Sequence, residues 1–453
     1  MHASTSSKPA SLGRLHLALL TCLGVFLFAS GSHSLLIPAW EANDELDHVA
    51  NIEYQVKHFG TFMPIEYGRW HETHQPPLYY WLGAIWQRLL GIAAFDVSFP
   101  PWRATKPEND KLIFAHDRFN AVQAQQALVL HKLRLLAPLL GAITVALTFW
   151  ICYSLTEDCL FSMSATLLAG LHPKFLILSA AVTNDTLAIL VGSALLLLCL
   201  RYTSTSRDRD RLLLALGIGL TAGLGILTKL TLLPLILLLI PVAVFTCPSR
   251  WKQKSADCVL ITLSALLTGG WWLVHNRTLY GDWLATRAST DWLVRQIPIS
   301  MKAASVFDLE RTLNVIPQTL FRTFWYDGGF NQLVTPFAIY WLLWLVAGIC
   351  FAQAFKSQLA NTGRLTLKNA LLVWLAALSG LLAVLAIAHN SAQAEGRLGF
   401  VALPAFAVLL TSGSEAYFNG TNLRRIGLLL WPGIILLLDI YVFARFVLPH
   451  RQL

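Results

Sequence analysis

Charged residues are scarce in this chain of 453 residues, of which they make up 13%. An average soluble protein carries about 25%. Hydrophobic residues make up 55% of the sequence. Apolar runs of about 20 residues, long enough to cross a hydrocarbon core of roughly 30 Å, recur along its whole length. The composition therefore excludes an ordinary soluble protein and indicates an integral membrane protein.

Cysteine is also rare, and its seven residues all fall inside apolar runs or at the ends of runs that the basic loops place in the cytoplasm. We therefore predict no disulfide framework, because none of them lies in the oxidising compartment. The sequence contains no internal repeat, no Gly-rich nucleotide loop, no Cys/His zinc spacing and no Ser-His-Asp signature. The few charged residues are consequently the main guide to function.

Hydropathy predicts about eleven membrane spans. Their approximate ranges are 14–37, 133–153, 160–173, 185–202, 211–228, 230–246, 257–275, 336–355, 369–388, 398–412 and 426–447. The first is interpreted as a retained signal anchor, because no A-x-A-like cleavage site follows it. The predicted fold is an all-α polytopic membrane protein in which residues 1–453 form a single transmembrane domain.

Lysine and arginine concentrate in segments 201–211, 247–254, 356–368 and 424–425, which fall on one side when the spans are counted in this order. Because basic loops are retained in the cytoplasm, we predict a cytoplasmic N-terminus and an external C-terminus. The asymmetry accounts for most of the net charge of +9, so we infer no nucleic-acid partner. Two long hydrophilic stretches, 38–130 and 276–335, are then external loops.

The first external loop opens with an unusual group of acids within Trp40–Pro64: Glu41, Asp44, Glu45, Asp47 and Glu53. If a short helix follows Pro38, Glu41, Glu45 and His48 share one face, with Asp44 beside them. Like charges this close are unfavourable unless a cation, a metal or a proton-transfer task is present. The alternative is a solvated amphipathic helix.

Imidazoles and arginines accompany these acids on the predicted outer side. His74 follows Arg69 in "RWHETHQPPLYYWLGAIWQ", and together with Glu45 and His48 it could hold a divalent ion, although the spacing is not a zinc signature. A planar guanidinium suits a phosphate, which it can grip with two hydrogen bonds. The candidate arginines are Arg69, Arg277, Arg322 and Arg397. The alternatives are an interfacial polar residue for the histidine and snorkelling anchors for the arginines.

The order of motifs along nearly the whole chain resembles the GT-C type glycosyltransferases. The closest likeness is to poorly characterised bacterial members related to the protein O-mannosyltransferases and the lipid A aminoarabinose transferase. The motifs are "NDELDH", "PPLYY", "KLRLLAPLLGAITVALTFW", "LHPKFLILSAAVTNDTLAIL", "GLGILTKLTLLP", "WWLVHNRTLYGDWL", "FRTFWYDGGFNQ" and "EGRLGFVALPAFAVLL". Two motifs depart from the pattern. Glu-Gly-Arg-Leu replaces Gln-Gly-Arg-Tyr, and His74-Gln75-Pro76 replaces the metal-linked Glu-Lys-Pro of the aminoarabinose transferase.

The resemblance implies juxtamembrane helices in the first external loop and transfer of a hexosyl or pentosyl unit from a polyprenyl-phosphate carrier. The acceptor would be a glycan, a lipid or a protein on the extracytoplasmic face, and we expect the bacterial inner membrane with its lipids. By resemblance Asp44 is the base, with Glu45 and His48 as orienting partners or metal ligands, Glu41 and His74 in substrate contact, and Mg²⁺ or Mn²⁺ as a possible cofactor.

This chemistry also explains the acids, because the acceptor hydroxyl must give up a proton while positive charge meets the departing phosphate. Arg397, Arg277, Arg322 or Lys229 could supply that charge, and small Gly396 is expected to leave room beside Arg397 for a lipid headgroup. Two alternatives stay open. One is a transporter or flippase, although no internal repeat is visible; the other is a non-catalytic protein that retains the fold.

Overall fold

The computed structural model describes residues 11–62, 71–95, 121–288, 317–328, 333–390, 395–418 and 423–450. This part of the chain is dominated by helices, and its two short strands, Asp327–Gly328 and Leu333–Val334, pair antiparallel. The predicted all-α architecture is confirmed. Arg69, one of the predicted substrate contacts, lies outside the described residues.

Sixteen α-helices are described along the chain. They are α1 (Leu12–Leu36), α2 (Glu45–Lys57), α3 (Leu78–Leu89), α4 (Ala121–Arg134), α5 (Leu136–Thr156), α6 (Cys159–Gly170), α7 (Pro173–Leu178), α8 (Asp185–Ser204), α9 (Asp208–Ile226), α10 (Leu233–Thr246), α11 (Trp251–Ala265), α12 (Trp271–Tyr280), α13 (Phe337–Leu359), α14 (Leu367–Asn390), α15 (Leu403–Tyr417) and α16 (Arg424–Val442). A 3-10 turn, Leu230–Leu232, precedes α10, and a 3-10 helix of seven residues, Gly396–Ala402, precedes α15. Segments of π-helix join α11 to α12 and extend α16.

Eight helical segments in the described residues are long and apolar enough to cross a membrane. They contain α1, α5, α8, α11 with α12, α13, α14, α15 and α16. Two shorter apolar segments coincide with α6 and α10. The predicted span 211–228 coincides with α9, whose first turn carries four charged residues. Each predicted span thus coincides with a helix, while the number of spans that cross the membrane stays a prediction.

The basic loops meet at one end of the bundle. Arg364, after α13, and Arg424, at the start of α16, both pair with Asp158 between α5 and α6. Lys368 Nζ donates to the carbonyl of Thr203, near the end of α8, at 2.8 Å. The end of α1, the start of α8 and the start of α15 lie at the opposite end, since each helix traverses the bundle. These loops therefore meet at one end, as predicted, while the side of the membrane that this end faces stays a prediction.

Two short helices of the first loop pack tightly over the opposite end. A Cβ at Gly83 in α3 would lie 2.5 Å from Cδ1 of Ile52 in α2, so a larger residue would require the Ile52 side chain to move. Asp44 precedes α2 and has a left-handed backbone with φ of +60°. Aspartate tolerates this region better than most residues. Because the backbone bends at Asp44, the side chains of Asp44 and Glu45 point in different directions.

Candidate active site

The centre of the site is Arg397, which is buried among three carboxylates. Its Nη2 lies 2.5 Å from Oδ2 of Asp44, and its Nη1 lies 3.4 Å from Oδ2 of Asp185. Its Nε contacts Glu395. The three acids come from the first loop, the start of α8 and the turn before α15. A buried arginine persists only where such partners compensate for lost hydration.

Lys229 adds a second cation at the end of α9. Its Nζ lies 2.6 Å from Oδ1 of Asp185 and 2.9 Å from Oδ1 of Asn184. Asp185 is therefore shared between a lysine and an arginine, one on each carboxylate oxygen. It also stands in the first turn of α8, where the helix dipole favours a negative charge. The Asn-Asp motif thus supplies a fixed acid to the site.

Asp44 is the most accessible carboxylate around Arg397. Its side chain is 24% exposed, whereas those of Asp185 and Glu395 are 4% and 10% exposed. Its left-handed backbone is a local strain of the kind that clusters at functional sites. A substrate hydroxyl that enters this end of the bundle would meet Asp44 before it met the other two acids.

Glu45, the neighbouring predicted catalytic residue, has a different environment. Its carboxylate is fully buried and lies 2.8 and 2.6 Å from Nε and Nη2 of Arg134 at the end of α4. It also accepts the backbone N–H groups of Trp40 and Val182. Arg134 further donates to the carbonyls of Ile37 and Pro38. This network ties the first loop to α4 and to the approach to α8.

His48 is buried against the two tyrosines of the "PPLYY" motif. Its Nδ1 lies 3.1 Å from the hydroxyl of Tyr80, and its ring packs against Tyr79 and Tyr80. Burial raises the pKa of Tyr79 well above its ordinary value. Glu41 is buried in the same loop.

The predicted metal ligands do not form a metal-binding group in the described residues. No three His, Cys, Asp or Glu side chains of this part of the chain are grouped so that they could hold a metal ion. The carboxylate of Glu45 is occupied by Arg134 and two backbone N–H groups. His74 is half-buried in a single 3-10 turn. We therefore derive no catalytic step through a metal, and its requirement stays a prediction.

Two predicted arginines lie away from the contacts of Arg397. Arg277 in α12 donates to the carbonyl of Gly281, just beyond the end of its own helix. Arg322 Nε lies 3.7 Å from Oδ2 of Asp327, whose other oxygen lies 2.8 Å from Nζ of buried Lys174. Arg322 is nevertheless close in sequence to Thr323, which contacts the turn that carries Arg397.

Gly396 is enclosed by protein, in contrast to the expectation that it leaves room for a headgroup. A Cβ at this position would lie 2.5 Å from the backbone N and Cα of Phe324. The N–H of Gly396 donates to Oγ1 of Thr323 at 2.7 Å. Glycine is needed here because another segment's backbone packs directly on it, and this packing fixes the turn before Arg397.

Sequence reasoning missed the structural roles of Arg134, Asp185 and Glu395. Asp185 and Arg134 occurred in motifs that supported the resemblance, and Glu395 was visible beside Arg397, but none received a site role. A usable signal was their charge, since ionisable residues within membrane spans are rare and usually functional, and Arg134 and Asp185 fall inside predicted spans. Nothing in the linear pattern indicated which of them would meet.

Comparisons with known proteins agree with this architecture. Residues 120–280 match the family model described as dolichyl-phosphate-mannose-protein mannosyltransferase. No curated protein sequence matches the chain. The fold is similar to that of ArnT from Cupriavidus metallidurans bound to undecaprenyl phosphate, with a TM-score of 0.55 and 15% identity over 96% of this chain and 66% of that one. The chain thus spans slightly less than two thirds of that structure.

Apo ArnT from the same organism gives a TM-score of 0.52 at 14% identity, over 97% of this chain and 73% of the other. The Pmt1-Pmt2 protein O-mannosyltransferase complex of S. cerevisiae is more distant, with a TM-score of 0.41 at 14% identity over 62% of this chain and 38% of the other. The predicted resemblance to GT-C membrane glycosyltransferases is confirmed by the family model and by the fold of ArnT.

Proposed function

Proceeding from the GT-C fold, we propose that this multi-pass membrane protein is a glycosyltransferase that moves a sugar from a polyprenyl-phosphate carrier to an acceptor hydroxyl. The observation that carries the proposal is an accessible carboxylate, Asp44, held by buried Arg397 at the end of the bundle opposite the basic loops. Support for the donor comes from the dolichyl-phosphate-mannose family model and from ArnT, whose structure contains undecaprenyl phosphate.

In the proposed reaction the acceptor oxygen attacks the anomeric carbon while its proton passes to Asp44. The bond between the anomeric carbon and the phosphate oxygen breaks, and the electron pair leaves with the carrier phosphate. Arg397 contacts Oδ2 of Asp44, so we assign proton acceptance to Oδ1. Holding one carboxylate oxygen restricts rotation and keeps the other in position, which is the geometric requirement for a general base.

The developing phosphate charge needs a cation. Arg397 is one candidate, but a phosphate would have to compete with the three carboxylates that surround it. Arg322 is the alternative that we favour, because its side chain is 26% exposed and it adjoins Thr323, which contacts the turn before Arg397. Lys229 and Arg277 remain further candidates. Measuring donor affinity after substitution of each residue would show which of them binds the phosphate.

We further propose that the Asp44 end of the bundle faces the extracytoplasmic side of a bacterial inner membrane. Support comes from the basic loops around Arg364 and Arg424, which meet at the other end. A carrier phosphate at the outer surface would then lie level with the loop that holds Asp44. The acceptor is a glycan, a lipid or a protein with an exposed hydroxyl.

The test is transfer of radiolabelled sugar from a panel of polyprenyl-phosphate sugars by the purified protein in nanodiscs. Asp44→Asn should lower the transfer rate by about 10²–10⁴, the usual contribution of a general base, with donor affinity retained. The matched control is Glu157→Gln, because Glu157 is an exposed acid with a left-handed backbone at the other end of the bundle.

The control should leave transfer unchanged. Near-full transfer by Asp44→Asn would reject Asp44 as the base, with Glu45 the next candidate. If the wild-type protein moves labelled lipid between leaflets but transfers no sugar, the flippase alternative replaces the transferase.

A further inference from the structure

A cavity lies at the end of the bundle opposite the Arg397 cluster. Its volume is about 610 Å³, within the range of typical small-molecule sites, which is about 300–1,000 Å³. It forms where three parts of the fold meet: the turn between α5 and α6, the turn between α13 and α14, and the end of α15 with the start of α16. None of the residues proposed for sugar transfer lines it.

Two arginines and two acids form a closed network in the wall of this cavity. Arg364 Nη1 lies 3.0 Å from Oδ2 of Asp158, and its Nη2 lies 3.0 Å from Oε1 of Glu415. Arg424 Nε lies 2.6 Å from the same Glu415 oxygen, and its Nη2 contacts the same Asp158 oxygen. Each carboxylate therefore bridges both guanidinium groups, and each arginine has a third nitrogen that these ion pairs do not use.

The cations are the accessible members of this network. The side chains of Arg364 and Arg424 are 36% and 33% exposed, whereas those of Asp158 and Glu415 are 13% and 11% exposed. Asp158 also points its second oxygen at the start of α6, where it accepts the N–H groups of Leu160 and Phe161. The acids thus face the protein and hold the arginines in place, so a ligand in the cavity meets mainly positive charge.

Another lining residue adds to the positive charge of the cavity, and a second offers an apolar surface. Lys356, near the end of α13, is exposed and lines the same cavity, which raises the local positive charge. Trp374 of α14 lines the wall as well and offers an apolar face. Guanidinium groups bind phosphate oxygens in a planar, bidentate way, and basic pockets between membrane helices bind anionic lipid headgroups.

We propose that this cavity binds a phosphate-containing anion, presented by the headgroup of an anionic membrane lipid. The phosphate would contact Arg364, Arg424 and Lys356, and the glycerol or acyl region would pass Trp374. The lipid is the favoured source because the cavity opens at helix ends, where headgroups lie. A soluble phosphate ester offers the same chemistry and is the other source to be tested. The proposal is independent of the proposed sugar transfer.

The experiment measures lipid retention by native mass spectrometry of the full chain from nanodiscs of phosphatidylcholine, alone or mixed with phosphatidylglycerol. Wild type should retain phosphatidylglycerol preferentially. Lys356→Gln, which breaks no ion pair of the network, should weaken this retention about fivefold, the effect of one basic residue near a headgroup. Arg364→Gln should weaken it further. The matched control, Arg425→Gln, removes an exposed charge next to Arg424 that does not line the cavity.

Retention that falls in Lys356→Gln and not in Arg425→Gln supports the site. If glycerol phosphate added in solution competes with the lipid and binds equally well, the phosphate site stands and its source is soluble. Equal losses in Lys356→Gln and Arg425→Gln would overturn the proposal, because they would reveal only general surface attraction. Equal retention of the two lipids by wild type, with no binding of glycerol phosphate, would overturn it as well.

Discussion

Arg397 and Asp44 are separated by 353 residues in the sequence, yet Nη2 of the arginine lies 2.5 Å from Oδ2 of the aspartate. The pair joins the turn before α15 to the loop between α1 and α2. Because Arg397 also contacts Asp185 and Glu395, it fixes the relative positions of three segments. The first prediction concerns what this arginine does during turnover.

We expect Arg397→Lys to lower the transfer rate while donor affinity stays near the wild-type value. A lysine keeps the charge but cannot reproduce the planar fork that contacts several carboxylates together. Separate measurements of transfer rate and donor binding in nanodiscs check this. The control is Arg445→Lys, at an exposed position. A large loss of donor affinity with an unchanged rate would instead favour Arg397 as the phosphate anchor.

The second prediction distinguishes the role of the Asp44 backbone conformation from the role of its carboxylate. Both Asp44→Gly and Asp44→Ala should lose transfer, because neither can accept a proton. Both also remove the partner that Asp44 provides to Arg397, but the alanine variant should be less stable than the glycine variant by about 1–2 kcal/mol, since alanine resists the left-handed conformation and glycine does not. Thermal unfolding of the purified variants checks this. Equal unfolding temperatures for the two variants would show that the observed φ of +60° is not required.

The third prediction tests the different role of Glu45. Glu45→Gln should reduce folding and expression, because buried Arg134 would lose its charged partner, a change that costs about 3–5 kcal/mol. Asp44→Asn should leave folding nearly intact. Expression and size-exclusion profiles of the two variants, measured side by side, check the contrast. A well-folded Glu45→Gln protein without transfer activity would move Glu45 into the reaction.

The fourth prediction concerns the packing of Gly396 against Phe324. Gly396→Ala should lower both stability and transfer, because its Cβ would collide with backbone atoms that cannot rotate away. The matched control is Gly348→Ala in α13, where a Cβ meets nothing within 4 Å. That change should be neutral or slightly stabilising, since alanine favours a helix. Wild-type behaviour of Gly396→Ala would contradict the close contact.

The fifth prediction tests orientation. Single cysteines on a cysteine-free background should react with a membrane-impermeant maleimide in intact cells at His58, and not at Arg209. Both positions are exposed, and they lie at opposite ends of the bundle. Cysteines at other positions within 41–69 and 280–311 should react as well. Cysteines within 203–211 and 251–254 should not. Labelling at Arg209 alone would reverse the orientation and place the Asp44 site in the cytoplasm.

The sequence alone determined that this is a helical membrane protein and where its helices fall. Both follow from local properties, because an apolar run in lipid must satisfy its backbone within the helix. The motif order also indicated the GT-C type fold, and the charged residues of the first and last motifs led to Asp44 and Arg397 as candidates, whose roles stay predictions.

Only the tertiary structure decided which charges meet. Two adjacent acids have different environments. The carboxylate of Asp44 is accessible and pairs with Arg397, whereas the carboxylate of Glu45 is buried and pairs with Arg134. Gly396 suggested open space in the sequence, but Phe324 fills it. The pairing of charges depends on how distant helices pack, and a buried charge needs a partner wherever in the chain that partner comes from. Local pattern carries no information about such contacts, so the structure had to supply them.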